Sequence, residues 1–156
     1  MSDLSRSRKE QEEAADETGL GSLDSILGFH IRLAHGAVYR HFTETFSHLD
    51  LTQKQVSVLW LIDEHPGIAQ TDLAHRLQMD RATVMAIINR LQNRGFLKRG
   101  RSTEDGRRQT LHLLPEGQAI LVRSRAAILQ HEAWLKGRFS RREIATLIDL
   151  LARIHE

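Results

Sequence analysis

The chain has 156 residues, of which 40% are hydrophobic, and its formal net charge is +2. This length and composition suit one globular domain, and no apolar run approaches the roughly 20 residues that span a bilayer. Since the chain contains no cysteine, disulfides, thiolate metal sites and thiol nucleophiles are excluded.

The first segment, residues 1–20, is predicted to be a disordered arm. Its sequence is rich in Ser, Glu, Asp and Arg and shows no apolar periodicity. It also lacks the apolar core of a secretory signal peptide. We therefore expect a cytoplasmic protein with no membrane partner.

A long helix is predicted to follow, starting near Leu23. Apolar residues recur there at spacings of three and four, which is the period of one helix face: Leu23, Leu27, Ile31, Ala34, Val38 and Phe42. Ile26, Phe29 and Leu33 widen this apolar arc. A helix that is apolar over so wide an arc has more than one surface to bury.

The next helix is predicted to begin at Thr52, because Thr52 and Gln55 form a capping-box pattern. Two short helices follow at residues 70–77 and 81–94, separated by three residues only. Two helices joined by so short a turn form a DNA-reading unit when the second offers a polar face. The turn itself is expected to be more helical than usual. Gln78 stands where such turns commonly use glycine, at a cost on the order of 1 kcal/mol.

The helix starting at Arg81 is predicted to be the recognition helix, with Asp80 as its N-cap bonded to the Thr83 amide. At 100° per residue, Val84, Ile87, Ile88 and Leu91 share the core-facing side. Asn89 has the amide geometry that pairs with adenine, and alanine side chains suit thymine methyl groups. The residues of this helix predicted to contact DNA are Arg81, Ala82, Thr83, Met85, Ala86, Asn89 and Arg90.

Two strands, Phe96 to Arg101 and Gln109 to Leu114, are predicted to form a hairpin with a turn-rich tip. Residues 81–108 contain eight basic and two acidic residues, a net of +6, whereas the remainder of the chain carries −4. Such a local excess is typical of a surface that binds a polyanion. A hairpin-tip arginine suits the narrow minor groove, and Asp105 is expected to hold the Arg107 side chain in position. The hairpin residues predicted to contact DNA are Arg99, Asp105, Arg107 and Arg108.

Two further helices are predicted in the C-terminal part. Pro115 opens the first, at the first-turn position that proline tolerates, and Ser140 with Glu143 forms a second capping box. Ile144, Leu147, Ile148, Leu151 and Ile154 then form one narrow apolar seam. We assign residues 21–50 and 116–156 to a helical dimerisation region and residues 51–115 to a winged helix-turn-helix domain that binds duplex DNA through residues 69–108. The expected fold class is mainly α with a small β-hairpin wing.

An ordered set of short stretches resembles the multiple-antibiotic-resistance regulator (MarR) family: Leu73-Ala74, Thr83-Val84, Arg90-Leu91, Arg94-Gly95-Phe96-Leu97-Lys98-Arg99, Asp105-Gly106-Arg107-Arg108 and Leu113-Leu114-Pro115-Glu116-Gly117. The resemblance covers about residues 22–155. It implies a homodimeric transcription regulator whose recognition helices enter successive major grooves and whose wings enter flanking minor grooves. A two-fold dimer predicts a palindromic operator with half-sites roughly 10 bp apart. Leu114 departs from the threonine that the family often has as a helix cap.

The resemblance also implies a small-molecule effector that releases a repressor from DNA. Residues 28–46 and the start at Leu51 are similar to members that respond to aromatic acids or their CoA thioesters. Aromatic side chains beside basic or imidazole groups suit such ligands. The predicted ligand-binding residues are His30, Arg32, Leu33, Tyr39, Trp60, Arg123 and His131. Other roles stay open, since Trp60 also fits a core position, Arg32 and Tyr39 fit a solvated or dimer surface, and Arg123 and His131 fit a dimer seam.

No cofactor, metal site or enzyme activity is expected. The nine histidines contain no pair spaced for one metal, and His30 and His41 lie about 16 Å apart along a helix. Phosphate loops, nucleophile elbows and paired carboxylates in an apolar context are missing from the sequence. The alternative function is an architectural or effector-independent DNA-binding protein.

Overall fold

The computed structural model describes residues 19–156, so the arm predicted for residues 1–20 lies almost wholly outside the described part. The described residues form six α-helices, one antiparallel hairpin and short 3-10 helices at Gly21–Ser25 and Ser47–Leu49. The mainly α fold class with a hairpin wing is confirmed. The elements are α1 Leu27–Phe46, α2 Gln53–Glu64, α3 Gln70–Arg76, α4 Arg81–Asn93, β1 Leu97–Arg101, β2 Gln109–Leu113, α5 Pro115–Lys136 and α6 Arg141–His155. No helix among residues 19–156 combines the length and the apolar content that crossing a membrane requires.

The described part of the chain divides into two compact units, the first ending at His41 and the second comprising residues 42–156, with the boundary inside α1. In the first unit the long helix starts at Leu27 and not near Leu23. Ile26 has extended backbone angles, φ −90° and ψ 109°, and separates the 3-10 helix from α1. Several residues of the predicted apolar arc are exposed in the single chain: Leu23, Ile26, Leu27, Ile31 and Leu33.

The second unit contains a continuous core centred on α2, which packs against α4, α5 and β2. The predicted capping box at its start is confirmed. The Gln55 amide donates to Thr52 Oγ1, and the Thr52 amide donates to Gln55 Oε1. The core residues come from every element between α2 and α5, and the largest that are fully buried include Leu59, Ile62, Leu73, Ile88, Leu91, Leu97, Leu111 and Leu121.

The hairpin is joined along its second strand to the segment before α3. Its register pairs Leu97 with Leu113 and Arg101 with Gln109. The segment before α3 joins the free edge of β2, since the Gly67 amide donates to Leu111 O and the Leu111 amide donates to Ile68 O. A bridge between Ala69 and Thr110 continues this pairing. The start of α3 is therefore fixed beside the first half of β2.

The start of α5 closely approaches the backbone before β1. The Leu114 amide donates to Phe96 O at 2.9 Å, and a Cβ added to Gly117 would lie 1.9 Å from the same oxygen. Only a residue without a side chain fits this contact. Pro115 occupies the first turn as predicted, and Leu114 makes no side-chain cap hydrogen bond.

Helix α6 differs from the helices of the core. Its predicted capping box is present, because the Glu143 amide donates to Ser140 Oγ and the Ser140 amide donates to Glu143 Oε2. Hydrogen bonding of the carboxyl to Ser140, first of all to its backbone amide, lowers the pKa of Glu143. However, α6 has no buried residue. Its predicted seam is largely open in the single chain, with Leu147, Ile148, Leu151 and Ile154 all exposed.

Candidate nucleic-acid interface

The N-terminus of α4 is fixed by Asp80, as predicted. Asp80 Oδ1 accepts from the Thr83 amide at 2.8 Å, and Oδ2 accepts from the Thr83 hydroxyl at 2.7 Å. Both hydrogen bonds lower the pKa of the Asp80 carboxyl because they favour its charged form. The bond from the backbone amide has the larger effect. Asp80 is thus a stable anionic cap at the positive end of the helix.

The turn between α3 and α4 corrects one expectation. Gln78 has a φ of +51°, so the turn keeps the left-handed residue that glycine usually supplies and is not more helical than usual. The Met79 amide donates to Ala74 O at 3.0 Å across this turn. The Gln78 side chain donates from Nε2 to His155 O at the end of α6. Tertiary contacts therefore retain a conformation that glutamine disfavours locally.

Helix α4 presents the two faces that its periodicity predicts. Val84, Ile87, Ile88 and Leu91 are buried. The opposite side is exposed and carries the small and polar residues predicted for DNA, namely Arg81, Ala82, Ala86, Asn89 and Arg90. Met85 is half exposed, and Thr83 is partly buried with its hydroxyl engaged by Asp80.

The wing touches this exposed face through Arg99 of β1. Its guanidinium donates from Nη2 to Asn89 Oδ1 at 2.7 Å and from Nη1 to Gln92 Oε1. Sequence reasoning selected Arg99 and Asn89 separately, and it missed Gln92. Because the contact joins a strand to a helix seven to ten residues away, no periodicity within one element signals it.

The wing tip corrects a second expectation. Asp105 Oδ1 accepts from the Arg107 backbone amide at 3.0 Å, so it shapes the turn and does not hold the guanidinium. Ser102 Oγ accepts from the amides of Glu104 and Asp105, which completes a tightly bonded tip. The next arginine is anchored instead, since Arg108 Nη2 lies 2.7 Å from Asp72 Oδ2 of α3. Asp72 was not among the predicted residues.

Four of the predicted DNA residues, two from the helix and two from the wing, line one cleft of about 270 Å³. The N-terminal part of α4 contributes Arg81 and Met85, and the wing contributes Arg107 and Arg108. Gln70, Thr71 and Ala74 of α3 line the side between them. The fold thus brings basic groups far apart in sequence to one exposed surface.

A further residue that the sequence analysis used only as part of a motif fixes the other end of α4. Arg94 donates from Nη1 to Asp50 O at 2.5 Å and from Nη2 to Leu49 O. Its guanidinium also lies 4.7 Å from the centre of the Phe96 ring. Asp50 has a φ of 49°. Arg94 therefore anchors the C-terminal end of the recognition helix to the corner before α2.

The predicted ligand residues of the first unit all belong to α1. His30 donates from Nε2 to Asp24 O at 2.6 Å. The Arg32 guanidinium lies 5.2 Å from the centre of the Phe29 ring. Leu33 and Tyr39 are exposed, and the Tyr39 ring lies 6.4 Å from that of His35.

Two of the predicted ligand residues of the second unit, Trp60 and His131, each belong to a separate aromatic group. Trp60 donates from Nε1 to Glu64 Oε1 at 2.7 Å, and the Arg125 guanidinium lies 4.8 Å from its ring centre while pairing with Asp63. His131 is buried, edge-on to Phe42 and stacked with Trp134 at 5.7 Å. Arg123 is exposed. Trp60 and His131 are thus already packed within their own unit.

Comparison with known proteins gives consistent matches. A family model described as MarR family matches residues 51–108. A Thauera aromatica protein named as a regulator of the hcr operon is 33% identical over 136 residues, which cover 86% of this chain and 82% of that relative.

Solved structures extend the similarity to the whole described fold. The transcriptional repressor CouR bound to a 23-mer DNA duplex superposes with a TM-score of 0.83 at 33% identity, covering 88% of this chain and 97% of that one. CouR bound to p-coumaroyl-CoA gives 0.79 at 32% identity, with 86% and 95% covered. The PcaV regulator from Streptomyces coelicolor in complex with its natural ligand gives 0.77 at 27% identity, with 85% and 93% covered.

Proposed function

This chain belongs to the MarR family of transcriptional regulators, and we propose that it is a cytoplasmic, homodimeric repressor of a palindromic operator. We further propose that an aromatic acid or its CoA thioester releases it from DNA. The relatives and solved structures that it resembles are transcriptional regulators. The chain is accordingly a DNA-binding regulator and not an enzyme. The observation that carries the operator proposal is the cleft where the recognition helix meets the arginines of the wing.

Base reading is proposed for the exposed side of α4. Ala82 and Ala86 are small and exposed there, so the helix backbone can approach the base edges of a major groove closely. Met85 and Asn89 offer an apolar and a hydrogen-bonding contact on the same side. Arg81, Thr83 and Arg90 complete the proposed contacts of the helix, with the arginines suited to phosphates.

Minor-groove and backbone contacts are proposed for the wing. Arg107 is exposed at a tip whose shape is held by Asp105 and Ser102. An arginine held at a narrow tip suits the electronegative minor groove. Arg108 is oriented by Asp72 and is proposed to contact a phosphate, whereas Arg99 lies against the recognition helix.

Dimerisation is proposed to use α6. Its four exposed seam residues make an apolar surface that a lone chain leaves in water, and surfaces of this kind in soluble proteins mark association sites. A two-fold dimer presents two recognition helices about one helical turn of DNA apart.

The DNA proposal is tested by footprinting and fluorescence anisotropy with the purified chain and duplexes from the adjacent promoter. One bounded footprint with a steep salt dependence is expected. Arg107→Ala should weaken binding by about 1 kcal/mol or more, whereas Lys54→Ala, an exposed cation of α2, should leave it nearly unchanged. Unbounded coating of the duplex would favour an architectural protein, and unchanged binding by Arg107→Ala would remove the wing from the interface.

The effector class is supported by CouR, which has been solved with p-coumaroyl-CoA. The proposed ligand residues are His30, Arg32, Leu33 and Tyr39 in the first unit and Trp60, Arg123 and His131 in the second. Thermal unfolding with p-coumaroyl-CoA, the free acid and CoA alone measures binding to the dimer. We expect the thioester or the acid to raise the melting temperature and to raise the operator dissociation constant. Flat results with the acid and the thioester would reject this effector class.

A further inference from the structure

Asn89 of the recognition helix is held by a residue of the wing. The Arg99 guanidinium donates to Asn89 Oδ1 at 2.7 Å and to Gln92 Oε1. Asn89 and Gln92 are three residues apart and therefore neighbours on one helix face. One arginine thus bridges two exposed amides on the side of α4 that is proposed to face DNA.

This bridge fixes the orientation of the Asn89 amide. A guanidinium carries five N–H donors and no acceptor, so the amide atom that faces Arg99 must be the oxygen. The charge on the guanidinium strengthens this hydrogen bond. The Asn89 NH₂ group, which is a donor, therefore points away from Arg99, while the oxygen keeps one lone pair beside the guanidinium.

The orientation matters because bases differ in what they present in the major groove. Adenine recognition by asparagine needs both ends of the amide, since the oxygen accepts from N6 and the NH₂ group donates to N7. In Asn89 that oxygen already accepts from a guanidinium, whose positive charge and N–H donors disfavour the approach of a second donor such as the adenine N6 amino group. Guanine presents two acceptors, O6 and N7, and no donor on this edge. A donor group alone is matched best by guanine.

We propose that Arg99 sets the base preference of Asn89, so that Asn89 selects guanine and not the adenine expected from the sequence. The proposal rests on the proposed function, in which the exposed side of α4 reads base edges. In it Arg99 is a positioning residue that acts through Asn89. Its position on β1 also makes the wing part of the reading of the major groove.

The test compares the sequences that the purified full chain and its variants select from duplexes with a randomised segment. Asn89→Ala identifies the contacted position as the one where the wild-type preference disappears. We expect guanine there in the wild-type site, favoured over adenine by about tenfold. Arg99→Met keeps a long side chain without a donor, so the preference should move toward adenine.

Arg101→Met is the matched control, since Arg101 also belongs to β1 but pairs with Gln109 at the far end of the hairpin. It should weaken binding to all sequences alike and leave the guanine preference intact. Asn89→Asp provides a second test that leaves β1 unaltered. It has no NH₂ group, and its preference should move from guanine to cytosine, whose N4 amino group is a donor.

Several results would overturn the proposal: adenine at the Asn89 position of the wild-type site, an Arg99→Met protein that folds and keeps the wild-type preference, or an Asn89→Asp protein that still selects guanine. Melting curves show whether each variant is folded, and an unfolded Arg99→Met protein leaves the decision to Asn89→Asp. Failure of the proposed function looks different, because a wild-type chain that enriches no sequence would contradict DNA reading itself.

Discussion

The helix-turn-helix region and the last helix contrast sharply, although both start with a well-formed N-terminal cap. Asp80 caps α4 and Ser140 caps α6. Helix α4 buries four apolar residues within its own chain, whereas α6 buries none. Local capping therefore specifies where each helix begins and says nothing of whether its apolar face finds a partner in the same chain.

We infer from this contrast that the two regions depend on different partners. Residues 51–114 contain a core and a polar surface whose hydrogen bonds are made inside one protomer. Helix α6 has a regular apolar seam exposed to water. Burial of such side chains stabilises a protein by about 25 cal/mol per Å² of apolar surface removed from water. We infer that the reading region is stable in one chain and that α6 gains its stability from a second copy.

The largest effect is expected from a substitution in the apolar seam of α6. Leu151→Asp places a carboxylate among the exposed apolar residues of α6 and should convert the dimer to a monomer, measured by analytical ultracentrifugation. Binding to a palindromic operator should fall about 100-fold or more, because two linked half-site contacts become independent.

Thr146→Asp is the control for that substitution, since Thr146 is exposed, lies about 140° around the helix from Leu151, and the charge change is the same. It should leave the dimer intact. A Leu151→Asp protein that sediments as a dimer would place the interface elsewhere.

A smaller effect is expected where the wing meets α5. Gly117→Ala introduces a Cβ that lies 1.9 Å from Phe96 O, so the backbone must shift, at a cost of about 3 kcal/mol. Chemical denaturation measures the free energy of unfolding. Gly28→Ala is the matched control, because a Cβ there meets nothing within 4 Å. Equal stability of the two variants would contradict the close approach.

Removal of the Asp80 cap tests the reading region alone. Asp80→Ala should lower the melting temperature by about 3 °C at neutral pH. The folded-state pKa of Asp80 is lowered. Its contribution is therefore full above the ordinary carboxyl pKa and is lost as the pH falls through the lowered one.

The difference between wild type and Asp80→Ala should accordingly shrink in acid. Asp80→Asn keeps a side-chain oxygen that does not titrate in this range, so its stability relative to Asp80→Ala should not change with pH. A difference that stays constant down to acidic pH for all three proteins would show that the carboxylate does not act as a charged cap.

The smallest effect concerns the strained turn. Gln78→Gly removes the cost of a left-handed residue that carries a side chain and should stabilise the protein by about 1 kcal/mol relative to Gln78→Ala. Both variants lose the hydrogen bond to His155 O, so their comparison isolates the backbone term. Equal melting temperatures would show that the φ of +51° costs nothing measurable.

Much of the fold was predictable because its signals are local. The capping boxes at Thr52 and Ser140, the N-cap at Asp80 and the proline start at Pro115 each depend on residues within one turn. Apolar periodicity likewise predicted the buried face of α4. The start of α1 was misplaced, because the stripe from Leu23 runs through a 3-10 helix before the α-helix begins at Leu27.

The side-chain contacts that shape the site were harder to predict from the sequence. The sequence favoured a more helical turn at Gln78 and a guanidinium held by Asp105, and both predictions were wrong. At both places the structure contains a contact between residues distant in sequence: Gln78 with His155 near the turn, and Arg108 with Asp72 near the wing tip. Such contacts leave no signal in a local sequence pattern.

The sequence by itself determined the order of the elements, the two faces of α4 and the basic charge of residues 81–108, since these follow from periodicity, caps and composition. Only the tertiary structure decided which charged and polar groups meet. It placed Arg99 on Asn89 and Arg94 on the corner before α2, because such contacts depend on the angle and distance between packed elements. Hydrogen-bond direction at Asn89 is set by that packing, and no property of asparagine alone encodes it.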